Sequence, residues 1–597
     1  MSMPTSLSTL TRRSFVKSAG VAGALAAGAT VAAGSALADE AAKSASADGA
    51  TPTQATAPND YSSWLGEEPQ ISDADVEEEV SADVIVIGMA DSGIPAIRAA
   101  VEEGASVLAF ERCEAHTSTG GDCAVIGGAI QEKYGRGDGF LDKKAIANEH
   151  QKECSFHTKL PIFKRWADEM GTMLDWFVDA SGSYITEETF SEVPEENQGN
   201  YLYPYFVPML ESYDYTQESL PCYPTSLGFS NLSAALEGNL NKAIEEAGDK
   251  LDIRYSCIAE KLIMEDGRCT GVYVRNIATG GYIKATANKG VILATGDYSS
   301  NRDMLSYFVP ETVENDIQTL WIWHDAEGNA TNDGSGLKMG AWAGAKIQQW
   351  HAPMIHHMGG GAGPDGHGVM GNNGWLWINL NGERFMNEDL PGQQLENQVE
   401  LQPGHKAYQI FDSAWPEELQ YFPAAHGVAC IYSDEPYPSW MNSNQLINVR
   451  TPADLQSALD DGRCLQADTL DELLAQIDGM DVETAKATVE RYNELCANGE
   501  DEDFGKNAQR MFALQNPPFY AVECGQALML VCIGGLESDE NCHTFDADRN
   551  VIPGLYVCGN MQGNRFAVEY PISLKGVSVS MALFYGYIAG KNAAQGL

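Results

Sequence analysis

The stretch that most constrains the fold of this chain is VIVIGMADSGIPAIRAA, residues 84–100. It predicts a buried β-strand, a turn that holds Gly88 and Gly93, and a helix that follows directly. This order matches the outline of a dinucleotide fingerprint, G-x-G-x-x-G, with Ala90 in place of the middle glycine. Gly88 permits the tight turn, and Gly93 permits close packing of the helix on the strand. The stretch therefore predicts a turn that presents a helix N-terminus to a phosphate, with the Ala90 methyl group as a tolerable departure.

The next strand of the same unit, ASVLAFER, ends in Glu111, which lies 23 residues after Gly88. An acidic residue at this place binds the ribose hydroxyls of a dinucleotide. The two segments together predict a βαβ unit and an α/β fold. By themselves they leave NAD and FAD equally open.

Four later glycine-rich segments favour FAD. One such segment is weak evidence, whereas five in this order indicate a flavoprotein. The four are 118–128 (STGGDCAVIGG), 291–301 (VILATGDYSSN), 331–353 (TNDGSGLKMGAWAGAKIQQWHAP) and 552–563 (IPGLYVCGNMQG).

Composition and charge restrict the class of protein. The chain has 597 residues, of which 44% are hydrophobic and 59 are glycine, and this composition is typical of a globular α/β protein with more than one domain. A formal net charge of −47 argues against nucleic-acid binding, which needs a basic face. The 13 cysteines include no Cys-x-x-Cys spacing, so neither a c-type haem, a zinc ribbon nor a ferredoxin-like cluster can be read from it, and no metal-binding residues are predicted.

The N-terminal segment predicts export. Arg12 and Arg13 precede an apolar run rich in Ala and Gly that ends in Ala-Leu-Ala at residue 38, as in a twin-arginine signal peptide over residues 1–38. The run is poor in Leu, Ile and Phe, so no stable membrane span is expected in the mature chain. Residues 39–80 are rich in Ala, Ser, Thr, Pro and acid and predict a flexible linker. The expected location is the periplasm or the outer face of the cell membrane.

The five segments together resemble the FAD-dependent fumarate reductase and flavocytochrome c family, which includes urocanate reductases and 3-ketosteroid Δ1-dehydrogenases. The chain also resembles exported flavin reductases of anaerobic gut bacteria. The resemblance implies a Rossmann-like FAD-binding domain, residues 81–352 and 516–597, with an inserted α+β capping domain, residues 353–515. It also implies hydride transfer from flavin N5 to the β-carbon of an activated double bond, with a side chain that protonates the α-carbon.

The resemblance also implies which residues contact FAD. They occupy the glycine-rich turns and the start of the last helix, whose dipole would stabilise negative charge at flavin N1 and O2. They are Gly88, Ala90, Gly93 and Glu111 for the adenosine half, Gly120, Gly121 and Asp122 near the pyrophosphate and ribitol, Ala294, Thr295, Gly296, Asp333 and Gly334 along the cofactor, and Asn560, Gly576, Val577 and Ser578 at the flavin.

The residues that bind and protonate fumarate in this family are mostly missing. His351 is kept. Gly392 stands at about the position of the family's proton-donating arginine, and Val531 stands at about the position of its second histidine. A dicarboxylate brings two charges into a dry site, and a buried charge without a partner is strongly unfavourable. The sequence therefore argues against fumarate and favours a neutral or mono-anionic enone, acrylate or aryl alkene.

The candidate catalytic residues are Tyr570, Arg565 and His351. Tyr570 lies in an EYP segment closer to ketosteroid dehydrogenases than to fumarate reductases. It is the first candidate proton donor, since a phenol donates a proton without leaving a cation in an apolar site. Arg565 is the second candidate, and a structural histidine is the alternative for His351. Aromatic residues that suit such a substrate are Tyr201, Tyr203, Tyr205, Phe206, Trp321, Trp323, Trp350, Trp375 and Trp377.

The expected function is a terminal reductase of anaerobic respiration, whose partners are a small-molecule alkene and a separate cytochrome c or flavoprotein that delivers electrons. Two alternatives stay open at this point. One is an FAD-dependent dehydrogenase of a ketosteroid-like saturated ketone, and the other is a non-catalytic flavin-binding electron carrier.

Overall fold

The computed structural model describes residues 60–187, 192–205, 222–356, 369–389, 393–423, 427–441, 448–525 and 527–597. The predicted signal peptide, residues 39–59 of the predicted linker, Phe206 and Gly392 lie outside these ranges. Ser62–Leu597 form one unit, which is described below. Within the described ranges, every helix is too short or too polar to cross a bilayer.

The strands alternate with the helices along most of the chain. In chain order the strands are β1 Val76–Ile87, β2 Val107–Phe110, β3 Asp122–Ala124, β4 Tyr184–Ile185, β5 Tyr201–Pro204, β6 Ser226–Phe229, β7 Leu251–Arg254, β8 Cys257–Glu265, β9 Arg268–Asn276, β10 Tyr282–Leu293, β11 Gln318–Thr319, β12 Ala352–His356, β13 Leu376–Asn379, β14 Ala407–Asp412, β15 Ile431–Tyr432, β16 Val449–Arg450, β17 Cys464–Ala467, β18 Phe519–Cys524, β19 Leu528–Ile533, β20 His543–Phe545 and β21 Val551–Val557.

The α-helices range from one turn to five turns. In chain order they are α1 Gly93–Glu102, α2 Ala129–Lys133, α3 Lys143–Glu153, α4 Leu160–Asp179, α5 Leu232–Ala247, α6 Arg302–Phe308, α7 Pro310–Glu314, α8 Ser335–Trp342, α9 Gln393–Glu400, α10 Trp415–Glu418, α11 Pro452–Asp460, α12 Leu470–Leu474, α13 Val482–Asn498 and α14 Val577–Gln595.

A parallel sheet forms the centre of the molecule. Its strands run in the order β21-β10-β1-β2-β7, all parallel, and β20 adds an antiparallel edge. The VIVI run of β1 is buried on both faces, as expected for a parallel strand covered by helices. The first half of β10 also pairs with β9, and β9 with β8, in an antiparallel meander. The predicted βαβ unit is therefore β1-α1-β2, although β1 begins at Val76, inside the segment predicted as a linker.

The capping region contains a separate antiparallel sheet in the order β13-β14-β18-β17. One face packs on α12 and α13. Trp375 and Trp377 are buried within this region, so they pack the cap rather than line the cleft described below. Strand β18 belongs to this sheet, although its residues follow residue 515, where the capping segment was predicted to end.

Two smaller sheets lie beside the central one. The first begins at Asp122 and has the strand order β3-β6-β5-β4. The second has the strand order β11-β19-β12. Their strands come from segments more than a hundred residues apart. Chain segments distant in sequence therefore meet around the carboxyl ends of the parallel strands, where open α/β sheets bind ligands.

The last helix, α14, packs directly against α1. A Cβ atom added at Gly586 would lie 2.1 Å from the backbone oxygen of Ser92, and one at Gly590 would lie 2.2 Å from that of Ala96. Only glycine permits this approach of two helix backbones. The packing holds the N-termini of both helices at the same cleft, since Ser92 and Ser578 both line it.

We predict that Gly586→Ala destabilises the protein, because the new methyl group would overlap the backbone of α1. Overpacking of this kind costs about 1–3 kcal/mol, which outweighs the gain of about 1 kcal/mol in helix propensity. The midpoint of chemical unfolding measures the effect. Gly199→Ala is the control, because its Cβ would have open space around it. Equal midpoints for Gly586→Ala and the wild type would show that the helices do not need this contact.

Candidate active site

The cleft begins where β1 ends. Gly88 has a φ of +96°, and a Cβ atom there would lie 2.4 Å from the backbone oxygen of Ala294 at the end of β10. The Gly88 N–H donates to the Phe110 carbonyl at the end of β2, at 2.8 Å. A Cβ atom at Gly93 would lie only 1.9 Å from the Gly88 oxygen. Gly88 and Ala90 therefore line the cleft, whereas Gly93 lies behind it and allows the helix to start there.

Glu111 holds the backbone of this turn. Its carboxylate accepts the Met89 N–H at 2.7 Å and the Cys113 N–H at 2.9 Å. The side chain is buried and lines the cleft, so its remaining lone pairs are the acceptors available to a ribose. The acid predicted from sequence thus lies at the predicted place.

Asp333 and Gly334 do not line the cleft. Asp333 accepts the Arg112 guanidinium at 2.9 Å and the Ser335 N–H at 2.9 Å. Arg112 also donates to Asp325 at 2.8 Å and lines the cleft itself. Sequence reasoning missed Arg112, although it directly follows Glu111.

The second glycine-rich loop meets the start of α14. Gly120, Gly121 and Asp122 line the cleft opposite Gly576 and Ser578. A Cβ atom at Gly576 would lie 2.4 Å from the Asp122 backbone, so this contact requires glycine. Val577 is buried and does not reach the cleft.

Lys575 is a cleft residue that sequence reasoning missed. Its side chain is buried, with the ammonium 3.3 Å from the Asp122 carboxylate and 3.3 Å from the centre of the Tyr205 ring. Burial lowers the pKa of Lys575 to about 8, so the group is still protonated at neutral pH. Its place directly before the glycine that opens α14 is the signal that marks it.

In the turn predicted to approach the flavin, polar side chains are linked by hydrogen bonds. Asn560 lines the cleft, accepts from Arg565 at 3.2 Å and donates to Asp297 at 3.2 Å. Arg565 is buried behind it and does not line the cleft. One of its terminal nitrogens has no hydrogen-bond partner among the described residues, and burial lowers the pKa of the guanidinium to about 10. Ala294, Thr295 and Gly296 also line the cleft.

Of the three predicted catalytic residues, Tyr570 alone lines the cleft within the described part of the chain. Its oxygen accepts the Ser578 N–H at 3.3 Å. No described residue accepts its hydroxyl hydrogen, which leaves that hydrogen available to a ligand. Burial raises the pKa of Tyr570 well above its ordinary value, so the phenol keeps its proton at neutral pH.

His351 lies outside the cleft lining. Its ring stacks on Phe308 at 4.1 Å, and its two nitrogens contact the Gln348 carbonyl, at 2.9 Å, and the Tyr298 hydroxyl. Burial lowers the pKa of His351 to about 4, so the ring is neutral at pH 7. With both nitrogens bonded, the geometry favours the structural alternative for this histidine.

The aromatic residues noted in the sequence divide between the cleft and other places. Trp321 and Trp323 line the cleft and are 41% and 46% exposed. Tyr201 and Tyr203 are buried on β5, and Trp350 is exposed against His157. Met354, Leu530 and Val531 contribute further apolar side chains to the lining.

Comparison with known proteins identifies the family. A family model described as the FAD binding domain matches residues 83–572. The chain belongs to this family. Members bind FAD, and the glycine turns, the buried Glu111 carboxylate and the opening of α14 fit that cofactor here. The predicted family, α/β fold and FAD cofactor are confirmed.

Three relatives define what this FAD-binding protein is similar to. A vinyl phenol reductase of Lactiplantibacillus plantarum is 23% identical over 534 residues, 86% of this chain and 97% of the relative. A fumarate reductase (cytochrome) of Shewanella frigidimarina is 23% identical over 552 residues, 89% of this chain and 79% of the relative. The solved structure of a 3-ketosteroid-Δ4-(5α)-dehydrogenase from Rhodococcus jostii has a TM-score of 0.62 at 20% identity, covering 88% of this chain and all of that one. The chain is an FAD-dependent oxidoreductase that acts on carbon–carbon bonds.

We predict that Glu111→Ala weakens FAD binding at least about tenfold, because it removes a ribose acceptor and leaves two buried N–H groups without partners, each of which costs about 1–3 kcal/mol. Titration of the apoprotein with FAD, followed by flavin fluorescence, measures the affinity. Glu114→Ala is the matched control, since this acid is exposed three residues further along. An unchanged affinity would remove Glu111 from the cofactor site.

Proposed function

We propose that the chain reduces an activated carbon–carbon double bond by hydride transfer from flavin N5, and that its substrate is a neutral or mono-anionic enone, acrylate or aryl alkene. The observation that carries the proposal is the Tyr570 hydroxyl, which enters the cleft with its hydrogen unused by any described residue. Met354, Leu530 and Val531 also line the cleft, as do Pro571, Ile572 and Leu574, which follow Tyr570 in the chain. A neutral acid next to apolar side chains suits a substrate with few charges.

The charges around the cleft support this substrate class over a dicarboxylate. Among the described lining residues, the cations are Arg112 and Lys575. Arg112 is bound to two carboxylates, and Lys575 lies beside Asp122. Val531 stands at the position where a second histidine was expected. The name of the vinyl phenol reductase relative, which matches over nearly its whole length, also points to an aryl alkene.

The chain's own residues account for orientation and proton supply. FAD, when bound and reduced by the electron donor, would supply the hydride. The Ser578 N–H holds the Tyr570 oxygen, so the hydroxyl hydrogen is directed to the substrate. The N-terminus of α14 contributes backbone N–H groups and a positive dipole end that favour negative charge on the cofactor. The apolar lining excludes water from the reacting atoms.

We extend the proposal to the cell. The N-terminal segment supports export by the twin-arginine pathway to the periplasm or the outer face of the membrane. The fumarate reductase relative is named as a cytochrome enzyme. This chain has no Cys-x-x-Cys-His sequence, so its electrons would come from a separate cytochrome c or flavoprotein, as in a terminal reductase of anaerobic respiration.

A second candidate is the dehydrogenation of a ketosteroid-like saturated ketone. The Glu-Tyr-Pro segment at 569–571, with Tyr570 in the cleft, favours it. The two reactions run in opposite directions, so assays with an electron donor and with an electron acceptor distinguish them.

We predict that the anaerobic, FAD-loaded protein oxidises reduced methyl viologen when an enone, acrylate or vinyl phenol is added. Fumarate serves as the dicarboxylate control, for which turnover should be at least about tenfold slower, since its second carboxylate finds no cation. Faster reduction of an oxidising dye by saturated ketones would favour the dehydrogenase. Absence of turnover in both assays, with FAD bound, would leave the electron-carrier alternative.

We predict that Tyr570→Phe lowers kcat by at least about 10²-fold while FAD still binds, because it removes the proton donor and little volume. Steady-state kinetics on the best alkene of the panel measure the loss. Tyr421→Phe, an exposed tyrosine outside the cleft lining, is the control. A kcat within a factor of about two of the wild type would refute the role of Tyr570 as general acid.

A further inference from the structure

We propose that Glu153 is a positioning residue that holds the segment Tyr570–Gly576 in the shape that faces the cleft. Glu153 is the last residue of α3 and is buried. It does not line the cleft, so it would act on the substrate site through the segment it binds.

The hydrogen bonds of Glu153 all go to two adjacent residues, Ile572 and Ser573. One carboxylate oxygen accepts the Ile572 N–H at 2.9 Å and the Ser573 N–H at 3.1 Å. The other oxygen accepts the Ser573 hydroxyl at 2.5 Å. Three donors of adjacent residues thus converge on a carboxylate that lies more than four hundred residues away in sequence.

The segment also has supports that do not involve Glu153: the Ala124 N–H donates to the Gly576 carbonyl at 3.2 Å, and Lys575 lies 3.3 Å from Asp122. The segment follows the turn at Asn560 and precedes α14, and it belongs to neither a helix nor a strand. On its other side, the Tyr223 N–H donates to the Ser573 carbonyl at 2.9 Å, and the Ser226 hydroxyl donates to the Lys575 carbonyl. Glu153 therefore closes a clamp, with the Tyr223–Ser226 side opposite it.

The clamped segment carries much of the substrate side of the cleft. Tyr570, Pro571, Ile572, Leu574, Lys575 and Gly576 all line it. The two N–H groups bound by Glu153 lie between the Tyr570 side chain and the start of α14. A shift there would move Tyr570 relative to the Ser578 N–H that orients its hydroxyl.

The carboxylate, rather than the acid, fits this geometry. Protonation turns one oxygen into an O–H donor and leaves the neutral acid a weaker acceptor, so the three hydrogen bonds to the carboxylate would weaken. Burial raises the pKa of Glu153 to about 7, and Glu149 on the same helix adds to this direction. Glu149 is bound to Lys152 at 2.6 Å. The other titratable groups close to Glu153 have raised pKa values and are uncharged at neutral pH; they are Cys154, Tyr223 and Tyr570.

The sign of the pH effect follows from these contacts. Above about pH 7 the carboxylate accepts all three donors, and the segment is held. As the pH falls through that value, Glu153 takes up a proton and the clamp weakens. A glutamine at this position keeps one carbonyl acceptor and cannot titrate.

The test compares wild type, Glu153→Gln, Glu153→Ala and Ser573→Ala, with Glu132→Gln as an exposed control on α2. The first readout is hydrogen exchange of the Ile572 and Ser573 amides in the FAD-loaded protein without substrate, expressed relative to the intrinsic rate at each pH. We expect wild-type protection to fall about tenfold from pH 8 to pH 6, Glu153→Gln to show no such change, and Glu153→Ala to lose protection at both pH values.

The second readout is kcat and its pH profile on a substrate of the wild type. We expect Glu153→Ala to lower kcat at least tenfold with little change in bound FAD, Glu153→Gln to give a pH-independent kcat close to that of the wild type below pH 7, without the acid limb, and Ser573→Ala to lie between Glu153→Ala and the wild type. Equal protection of both amides at pH 6 and pH 8 in the wild type would overturn the proposal. A kcat of Glu153→Ala equal to that of the wild type would also overturn the proposal. If Glu153→Ala does not fold, an acid limb in the pH profile of Glu153→Gln like that of the wild type would overturn it.

The effect on turnover rests on the proposed function, whereas the exchange readout does not. If the protection of the Ile572 and Ser573 amides depends on Glu153 but the protein reduces no alkene, the clamp is supported and the proposed reaction is rejected. If the protein reduces alkenes but the exchange of these two amides does not change when Glu153 is replaced, the proposed reaction is supported and the clamp is rejected.

Discussion

The close approach of three backbones at Gly88 is the constraint on which the rest of the structure depends. The end of β1, the end of β10 and the first turn of α1 meet there with no space for a side chain at Gly88 or Gly93. The same requirement extends to the second helix, because α14 approaches α1 at Gly586 and Gly590. Close packing of this kind places two helix N-termini at one cleft, and both favour the negative charge of a dinucleotide.

Buried carboxylates then fix the irregular backbone around that cleft. Glu111 holds the turn after β1, and Glu153 holds the segment before α14. Each accepts backbone N–H groups that would otherwise be buried without partners, and a buried N–H without a partner is costly. A chain of strongly acidic composition therefore uses some of its acids as internal supports.

Most residues predicted to bind the cofactor line the cleft, but Gly93, Asp333, Gly334 and Val577 do not; of the three predicted catalytic residues, Tyr570 alone does. The fingerprint at Gly88 and the acid at Glu111 are local patterns, because a turn and the strand beside it are close in sequence. Arg565 and His351 were named from the spacing of single segments. In the structure Arg565 lies behind Asn560, and His351 stacks on Phe308 outside the cleft. Which side of a buried segment faces the cleft depends on what packs behind it, and spacing along one segment does not contain that information.

The sequence by itself determined the βαβ unit and the FAD family, since these are written in short runs of residue types. The tertiary structure alone decided that Tyr570 reaches the cleft, that Lys575 lies buried beside Asp122, and that Glu153 holds the segment between them. The physical reason is that hydrogen bonds and buried charges join residues hundreds of positions apart. Their energies depend on distance and burial in the folded chain, which no local pattern records.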